Sequence, residues 1–209
     1  MQRFRNELFT VITVIAVLSV GACGDGVGVD DRATVRVLLT DAPADYIEAA
    51  MVDIGLIELI PGGDGGPVTL VEDGTPDLVN LLLLDDEVTM LLADVTIPAG
   101  TYTQLRLIVD AAHVVLKAPH VFNSNDSPEM GLTVPSGAET GIKLNLGVTN
   151  GDDTGPLVIA PGETLVLLVD FDVDESFVIQ GDPETPAGIN GVLFTPTISV
   201  TASTGAPAS

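Results

Sequence analysis

Short apolar runs that are rich in Val, Ile, Leu and Thr recur along most of the chain, and Gly, Pro, Asp and Asn separate them. Runs of strand length bounded by turn residues are typical of β-sheet proteins. The first run, "ATVRVLLTDAP", begins with an alternation of apolar and polar residues, as expected of a strand with one buried face. The pattern predicts an all-β domain. The predicted strands lie within residues 33–43, 49–66, 67–73, 101–117, 140–148, 163–174 and 191–202.

Two stretches depart from this simple pattern. The run "TYTQLRLIVDAAHVVLK" (101–117) predicts a pair of strands broken near Ala111 and Ala112. The leucines of "DLVNLLLLDDEVTMLLADVTIPAG" (77–100) fit neither the strand period nor the helix period, which leaves room for a short helix within residues 84–93.

The amino-terminal segment has the layout of a secretory signal peptide. Arg3 and Arg5 form a basic head, and an apolar stretch follows from Leu8 to Ala22. The stretch is shorter than the roughly 20 apolar residues that a spanning helix needs. Its end, "VGAC", resembles the lipobox of bacterial lipoproteins, in which the chain is cut before a cysteine that is lipidated on its thiol. Cys23 is the only cysteine of the chain, so no disulfide competes for it.

These features predict how the chain is divided. Residues 1–22 are a lipoprotein signal peptide, residues 23–32 the lipidated Cys23 and a short linker, residues 33–202 the sandwich domain, and residues 203–209 a flexible tail. Several acyl chains would anchor the protein stably to a membrane. Gly24 stands where an aspartate commonly retains lipoproteins at the inner membrane, which favours the outer membrane. The alternative is an ordinary signal peptide, or an uncleaved anchor, with an incidental cysteine.

The charge of the chain restricts its partners. The formal net charge is −23, and removing Arg3, Arg5 and Glu7 with the signal peptide leaves five cations against 29 carboxylates, a charge of −24. A field of this sign repels phosphate backbones and anionic lipid surfaces, so nucleic acid is excluded as a partner. Cations, a basic partner, or simple solubility of an acidic surface remain.

The segment "DFDVDES" places three aspartates at alternate positions. On a strand, Asp170, Asp172 and Asp174 would share one face, opposite Phe171 and Val173. Because calcium takes six to eight oxygen ligands, this face could supply part of a calcium site, helped by Asp41 or Asp45. The segment is not an EF-hand, since glutamate stands where the loop needs glycine and glycine where it needs glutamate. The alternative is a solvated acidic face.

Two cations within strands are predicted to serve the structure. Arg106, in "IPAGTYTQLRL", is one of the five cations of the mature chain, and we expect it to pair with a carboxylate. The same interpretation applies to Lys143, in "LTVPSGAETGIKL". Binding of a ligand by these cations is the alternative.

The sequence predicts no catalytic residues and no cofactor. His113 and His120 belong to no HExxH motif and have no cysteine ligands near them. Ser136 lacks the G-x-S-x-G pattern of a nucleophile elbow, and no glycine-rich phosphate loop leads from a strand into a helix.

Four segments, taken in order, resemble one known family. They are "VLLTDAPADYIEAAMVDI", "IPAGTYTQLRL", "LTVPSGAETGIKL" and "LLVDFDVDESF", and the resemblance is to domain of unknown function 4382, over roughly Arg36 to Val200. The resemblance implies an antiparallel all-β sandwich of the prealbumin (transthyretin) Greek-key type and a bacterial cell-envelope lipoprotein, but no activity.

Taken together, these observations predict a non-catalytic binding or structural module, anchored by lipid in the outer membrane. Its partner would be an envelope protein or a glycan. A calcium-dependent adhesion or matrix component is the first alternative, and an enzyme acting on envelope polymers is the second. A flat, exposed sheet edge would favour binding by addition of a partner strand.

Overall fold

The computed structural model describes residues 31–41, 44–72, 78–84, 88–135, 140–150, 153–185 and 187–205. The predicted signal peptide and Cys23 lie outside these residues. Helix α1 (Val173–Ser176) and the 3-10 turn Leu81–Leu83 accompany the strands. The strands are β1 (Arg32–Asp41), β2 (Ile47–Pro61), β3 (Val68–Glu72), β4 (Val79–Asn80), β5 (Met90–Pro98), β6 (Gly100–Leu116), β7 (Glu129–Leu132), β8 (Ile142–Asn145), β9 (Gly147–Asn150), β10 (Asp153–Ile159), β11 (Thr164–Phe171), β12 (Phe177–Asp182), β13 (Gly188–Phe194) and β14 (Ile198–Gly205).

The strands form two large sheets and one hairpin, which confirms the predicted all-β sandwich. Sheet A has four strands in the order β14-β11-β1-β5. Sheet B has eight strands, with the central order β3-β2-β6-β10-β9 and with β4, β7 and β8 attached to β2 or β6. The hairpin pairs β12 with β13. The sequence predicted an antiparallel sandwich. One pair of described strands departs from this, because β1 and β11 run parallel over eight residue pairs.

Alternate residues of the strands build one core between the sheets. In β1, Val35, Val37 and Leu39 are fully buried, and their parallel partners Leu165, Leu167 and Val169 are buried with them. The residues between them on each strand face outward. The two-residue period seen in the sequence therefore separates the buried and outward faces of sheet A. Burial of this apolar surface is the dominant favourable term in folding.

The long strand β6 is continuous where the sequence predicted a break. It runs through Ala111 and Ala112 and pairs with β2 along almost its whole length. A register shift next to this point skips Asp110. Its carboxylate occupies the space in which a Cβ at Gly55 of β2 would lie. A β-bulge, which bends a strand without ending it, therefore produces the irregular pattern.

The leucine-rich segment adopts a strand where the sequence left room for a helix. The 3-10 turn begins after Asn80, whose side-chain oxygen accepts a hydrogen bond from the Leu82 N–H. Strand β5 begins at Met90, so the last four residues of the range 84–93, in which a short helix was possible, form a strand. The reason is tertiary pairing, since Met90 and Leu91 lie opposite Leu39 and Leu38 of β1.

The carboxyl-terminal strand is longer than predicted. β14 continues to Gly205, three residues beyond the predicted end of the domain at residue 202. No helix in the described part of the chain is both long enough and apolar enough to span a membrane.

Candidate functional site

Parallel pairing of β1 and β11 brings two acidic segments to one end of sheet A. Asp41 of β1 lies opposite Phe171 of β11, so both strands finish at the same level. β1 starts at Arg32, where the predicted linker joins the domain, and nine steps along a strand span roughly 30 Å. The acidic end therefore lies far from the point at which the linker enters. We use "acidic end" for Asp45, Asp172 and Asp174 together with the buried Asp41.

Asp172 directly follows strand β11 and is the N-cap of helix α1. Its Oδ1 accepts a hydrogen bond of 2.9 Å from the backbone N–H of Glu175, and its carbonyl accepts one from Ser176. Aspartate is among the preferred residues at a helix N-cap, because its side chain satisfies an amide that the helix leaves unpaired. The prediction that Asp170, Asp172 and Asp174 share one strand face is therefore wrong. Asp170 alone remains on the strand, beside Thr40 on the outer face of sheet A.

The first turn after β11 is fixed to the chain before β14. Ser176 is fully buried, and its Oγ accepts a hydrogen bond of 2.9 Å from the Thr197 N–H. The same hydroxyl donates to the Thr197 carbonyl at 3.3 Å. Val173 is also buried beneath the turn. These contacts hold Asp172 and Asp174 in a defined position.

The loop between β1 and β2 is held from the end of β6. Lys117 donates from Nζ to the Ala44 carbonyl at 2.9 Å and from its backbone N–H to the Tyr46 carbonyl at 2.9 Å. The rings of Tyr46 and His120 pack edge to face, with ring centroids 5.6 Å apart. Its hydroxyl donates to Glu184 at 2.8 Å, and this hydrogen bond, with the charge of Glu184, raises the pKa of Tyr46. No pattern in the sequence indicates this role for Lys117.

The carboxylates at this end repel one another. Burial raises the pKa of Asp174, and the negative charges of Asp45 and Asp172 raise it further. A backbone hydrogen bond from Asp45 and the charge of Lys117 act in the opposite direction. Because the pKa is raised, the folded state holds a proton on Asp174 more tightly than the unfolded state does. Ionised Asp174 thus opposes folding above its raised pKa, and a cation at this end would relieve that cost.

The acidic end has no preformed metal cage. Among the described residues, no group of three or more His, Cys, Asp or Glu side chains is arranged to hold a metal ion. Asp172 also uses one carboxylate oxygen as a helix cap. The arrangement can attract positive charge, either a hydrated cation or the basic side chains of a partner.

An exposed apolar surface lies beside the acidic end, and sequence reasoning missed it. On the outer face of sheet A, Leu38 has Leu168 on one side and Leu91 on the other. Leu91 is 53% exposed, and Val88 and Leu83, which precede β5, are 50% and 71% exposed. Thr40 connects the two features, because its hydroxyl donates to the Leu84 carbonyl at 3.2 Å. The only sign in the sequence was the leucine-rich run that fitted neither period.

The five cations after residue 23 mostly bind other parts of the chain. Arg106 pairs with Glu58, which confirms the carboxylate partner predicted for it. Arg36 pairs with Asp94 at 3.0 Å, and Arg32 donates to the Thr96 carbonyl. Lys143 is exposed on β8, directly opposite Arg106. With Lys117 bound to the β1–β2 loop, little positive charge remains to receive an anionic ligand.

The aromatic residues are mostly buried in the core, which leaves little for sugar stacking. Five of the six aromatic side chains after residue 23 are at most 3% exposed: Tyr102, Phe122, Phe171, Phe177 and Phe194. Tyr46 is the sixth and is only partly buried.

The matched family agrees with the resemblance seen in the sequence. A family model described as "Domain of unknown function (DUF4382)" matches residues 32–189. The chain belongs to the DUF4382 family. The DUF4382 match includes both parallel strands and α1, and therefore the whole acidic end, but it stops before β14. Searches of the curated proteins and of the solved structures found no match.

Proposed function

We propose that this DUF4382 protein is a non-catalytic binding module, held by a lipid on Cys23 in the outer membrane of a bacterial cell envelope. The observation that carries the binding role is the position of the acidic end beside the apolar surface of Leu38, Leu91 and Leu168, in which Leu91 is exposed and the other two leucines are half-buried. Both features lie far from Arg32, where the linker enters, so an anchored domain can present them to a partner. Contiguous apolar surface with a polar rim is typical of interaction sites.

The chemistry of this surface favours a protein partner over a glycan. Its carboxylates would attract basic side chains, and complementary charge raises the rate and specificity of association. Its leucines would contact apolar side chains of the same partner. A glycan partner would need exposed aromatic rings for stacking, and Tyr46 is the only accessible candidate among the aromatic residues of the mature chain. We therefore infer an envelope protein with a segment that is both basic and apolar.

Site-specific photo-crosslinking in intact envelopes tests this proposal. A photoreactive amino acid at Leu91 is expected to give a discrete adduct with another protein, whereas the same amino acid at Val158 is not. Val158 is a matched control because it is also an exposed apolar strand residue, 61% exposed, but lies on β10 in sheet B. The Leu91 adduct should weaken in high salt, where interactions between exposed charges are screened. Equal adducts at both positions, or none at Leu91, would contradict the proposal.

A calcium-dependent adhesion or matrix component is the second candidate, favoured by the mutual repulsion of Asp45, Asp172 and Asp174. Thermal melting in calcium and in sodium at matched ionic strength separates the two candidates. Screening depends on ionic strength alone, whereas a calcium site would add RT ln(1 + [Ca]/Kd), about 2.7 kcal/mol at a hundredfold excess over Kd. We expect equal rises of the melting temperature in both salts.

The variant Asp172→Asn is the control for this measurement. Asparagine is about as good an N-cap as aspartate, so α1 keeps its cap while the acidic end loses one charge. A calcium-specific increment in the wild type that disappears in Asp172→Asn would support the calcium site and overturn our expectation.

A further inference from the structure

The two edges of sheet A differ in how they are protected from pairing with another strand. Strand β5 at one edge carries a register shift against β1, the charged Asp94, and a terminal proline, Pro98. Bulges, charges and proline are the usual devices that block an edge. Strand β14 at the other edge has the sequence "ISVTASTG", with no charge and no proline, and keeps one regular register with β11 over all eight residues.

In the part of the chain that the structure describes, β14 is hydrogen-bonded to β11 alone, and β8 of sheet B comes within 8 Å of β14, Cα to Cα, without pairing with it. Eight residues give an edge of roughly 26 Å along which main-chain N–H and C=O groups are available. Such an edge is a template for one more strand.

The pattern of β14 defines the strand that would fit beside it. Ile198, Val200 and Ala202 are partly buried against the core, while Ser199, Thr201 and Ser203 are exposed. An added strand must continue both faces, so it needs apolar residues facing inward and small polar residues facing outward. β14 itself has this pattern.

We propose that β14 pairs with β14 of a second copy of this chain, antiparallel about a two-fold axis. The two copies of sheet A then form one continuous eight-stranded sheet. With Thr201 at the axis, Val200 lies opposite Ala202 of the other copy on the inner face, and Ser199 opposite Ser203 on the outer face. A two-fold interface of this kind uses the same surface on both subunits.

The charge of the chain explains why a second copy would associate at β14 and not at another surface. Each chain is strongly negative, so most pairs of surfaces repel, but β14 contributes no charge. The nearest carboxylate on the neighbouring strand is Asp170, opposite Ser199. In the proposed register the two copies of Asp170 lie toward opposite ends of the interface, roughly 20 Å apart from strand rise and spacing. That distance exceeds the Debye length of about 8 Å at physiological ionic strength, so their repulsion is screened.

Cysteine cross-linking of the full chain in envelopes tests the interface. The variant Thr201→Cys places a thiol at the two-fold axis, and a short bismaleimide is expected to convert most of it to a covalent dimer. Thr96→Cys, on the protected edge strand β5, is the matched control and should stay monomeric. The wild type, with Cys23 alone, gives the background.

Charge substitutions test the register of the pairing. Adding Ser203→Glu to Thr201→Cys should lower dimer formation severalfold, because each introduced carboxylate then lies roughly 10 Å, two strand spacings, from Asp170 of the other copy. Adding Ser199→Lys as well should restore the dimer, because the introduced lysine of each copy would then face the introduced glutamate of the other. Unchanged resistance to protease shows that each variant is folded. No dimer at Thr201→Cys, equal dimer at Thr96→Cys, or an adduct with a different protein would overturn the proposal.

Discussion

Replacing Arg106 with methionine is expected to lower the free energy of unfolding by about 2–4 kcal/mol. The variant leaves Glu58 charged and without its partner in a position where its side chain is only 11% exposed. Removing one member of a buried ion pair costs about 3–5 kcal/mol. The loss should be smaller here for two reasons. The Arg106 side chain is 28% exposed, so the pair is only partly buried. Arg106 also lies opposite the like-charged Lys143 on β8, and removing this repulsion returns about 0.2–1 kcal/mol.

Two further variants test whether burial of the Glu58–Arg106 pair causes this loss of stability. Arg36→Met removes the same side chain from the Arg36–Asp94 pair, whose side chains are 54% and 40% exposed. Exposed pairs contribute about 0–1 kcal/mol, so this variant should melt close to the wild type. The double variant Glu58→Leu/Arg106→Met should recover most of the loss, since well-packed apolar residues often replace a buried pair without cost.

Urea unfolding followed by far-UV circular dichroism measures all three free energies. A loss in Arg106→Met no larger than that in Arg36→Met would show that the Glu58–Arg106 pair is not an important contribution to stability.

The core could be predicted from the sequence because it depends on a local property. Alternation in "ATVRV" marks Val35 and Val37 as inward residues, and both are fully buried. The presence of strands around Leu105 and Leu167 was likewise predicted from residue type and spacing. Each of these inferences needs only neighbours along the chain.

The arrangement of the strands could not be predicted in the same way. Parallel pairing of β1 with β11 joins residues more than 120 positions apart, and nothing in either run specifies its partner. The bulge at Asp110 and the strand at Met90 also arise from pairing with distant strands. Contacts between distant strands determine these elements, and local β-propensity does not predict them.

The candidate site was predicted in part. Asp45 was proposed to help the aspartates of "DFDVDES", and the structure places it close enough to raise the pKa of Asp174. The shared strand face was wrong because the local preference of Asp172 for an N-cap outweighed the alternation of the segment. The apolar surface was missed because Leu38 and Leu91 become neighbours only when β5 pairs with β1.

Replacing Cys23 with serine is expected to abolish anchoring altogether. Serine has no thiol to receive a lipid, and the cut before residue 23 depends on that modification in lipoproteins. The variant should therefore accumulate as an uncleaved precursor. Gly24→Asp is the matched control, because it keeps the cysteine and should change only the membrane in which the protein is retained.

The most direct measurement is metabolic labelling with a fatty-acid analogue, followed by separation of the inner and outer membranes. We expect the label on the wild type in the outer membrane, on Gly24→Asp in the inner membrane, and on Cys23→Ser in neither. Normal labelling of Cys23→Ser, or an unlabelled wild-type protein, would contradict the proposal that this chain is a lipid-anchored envelope module.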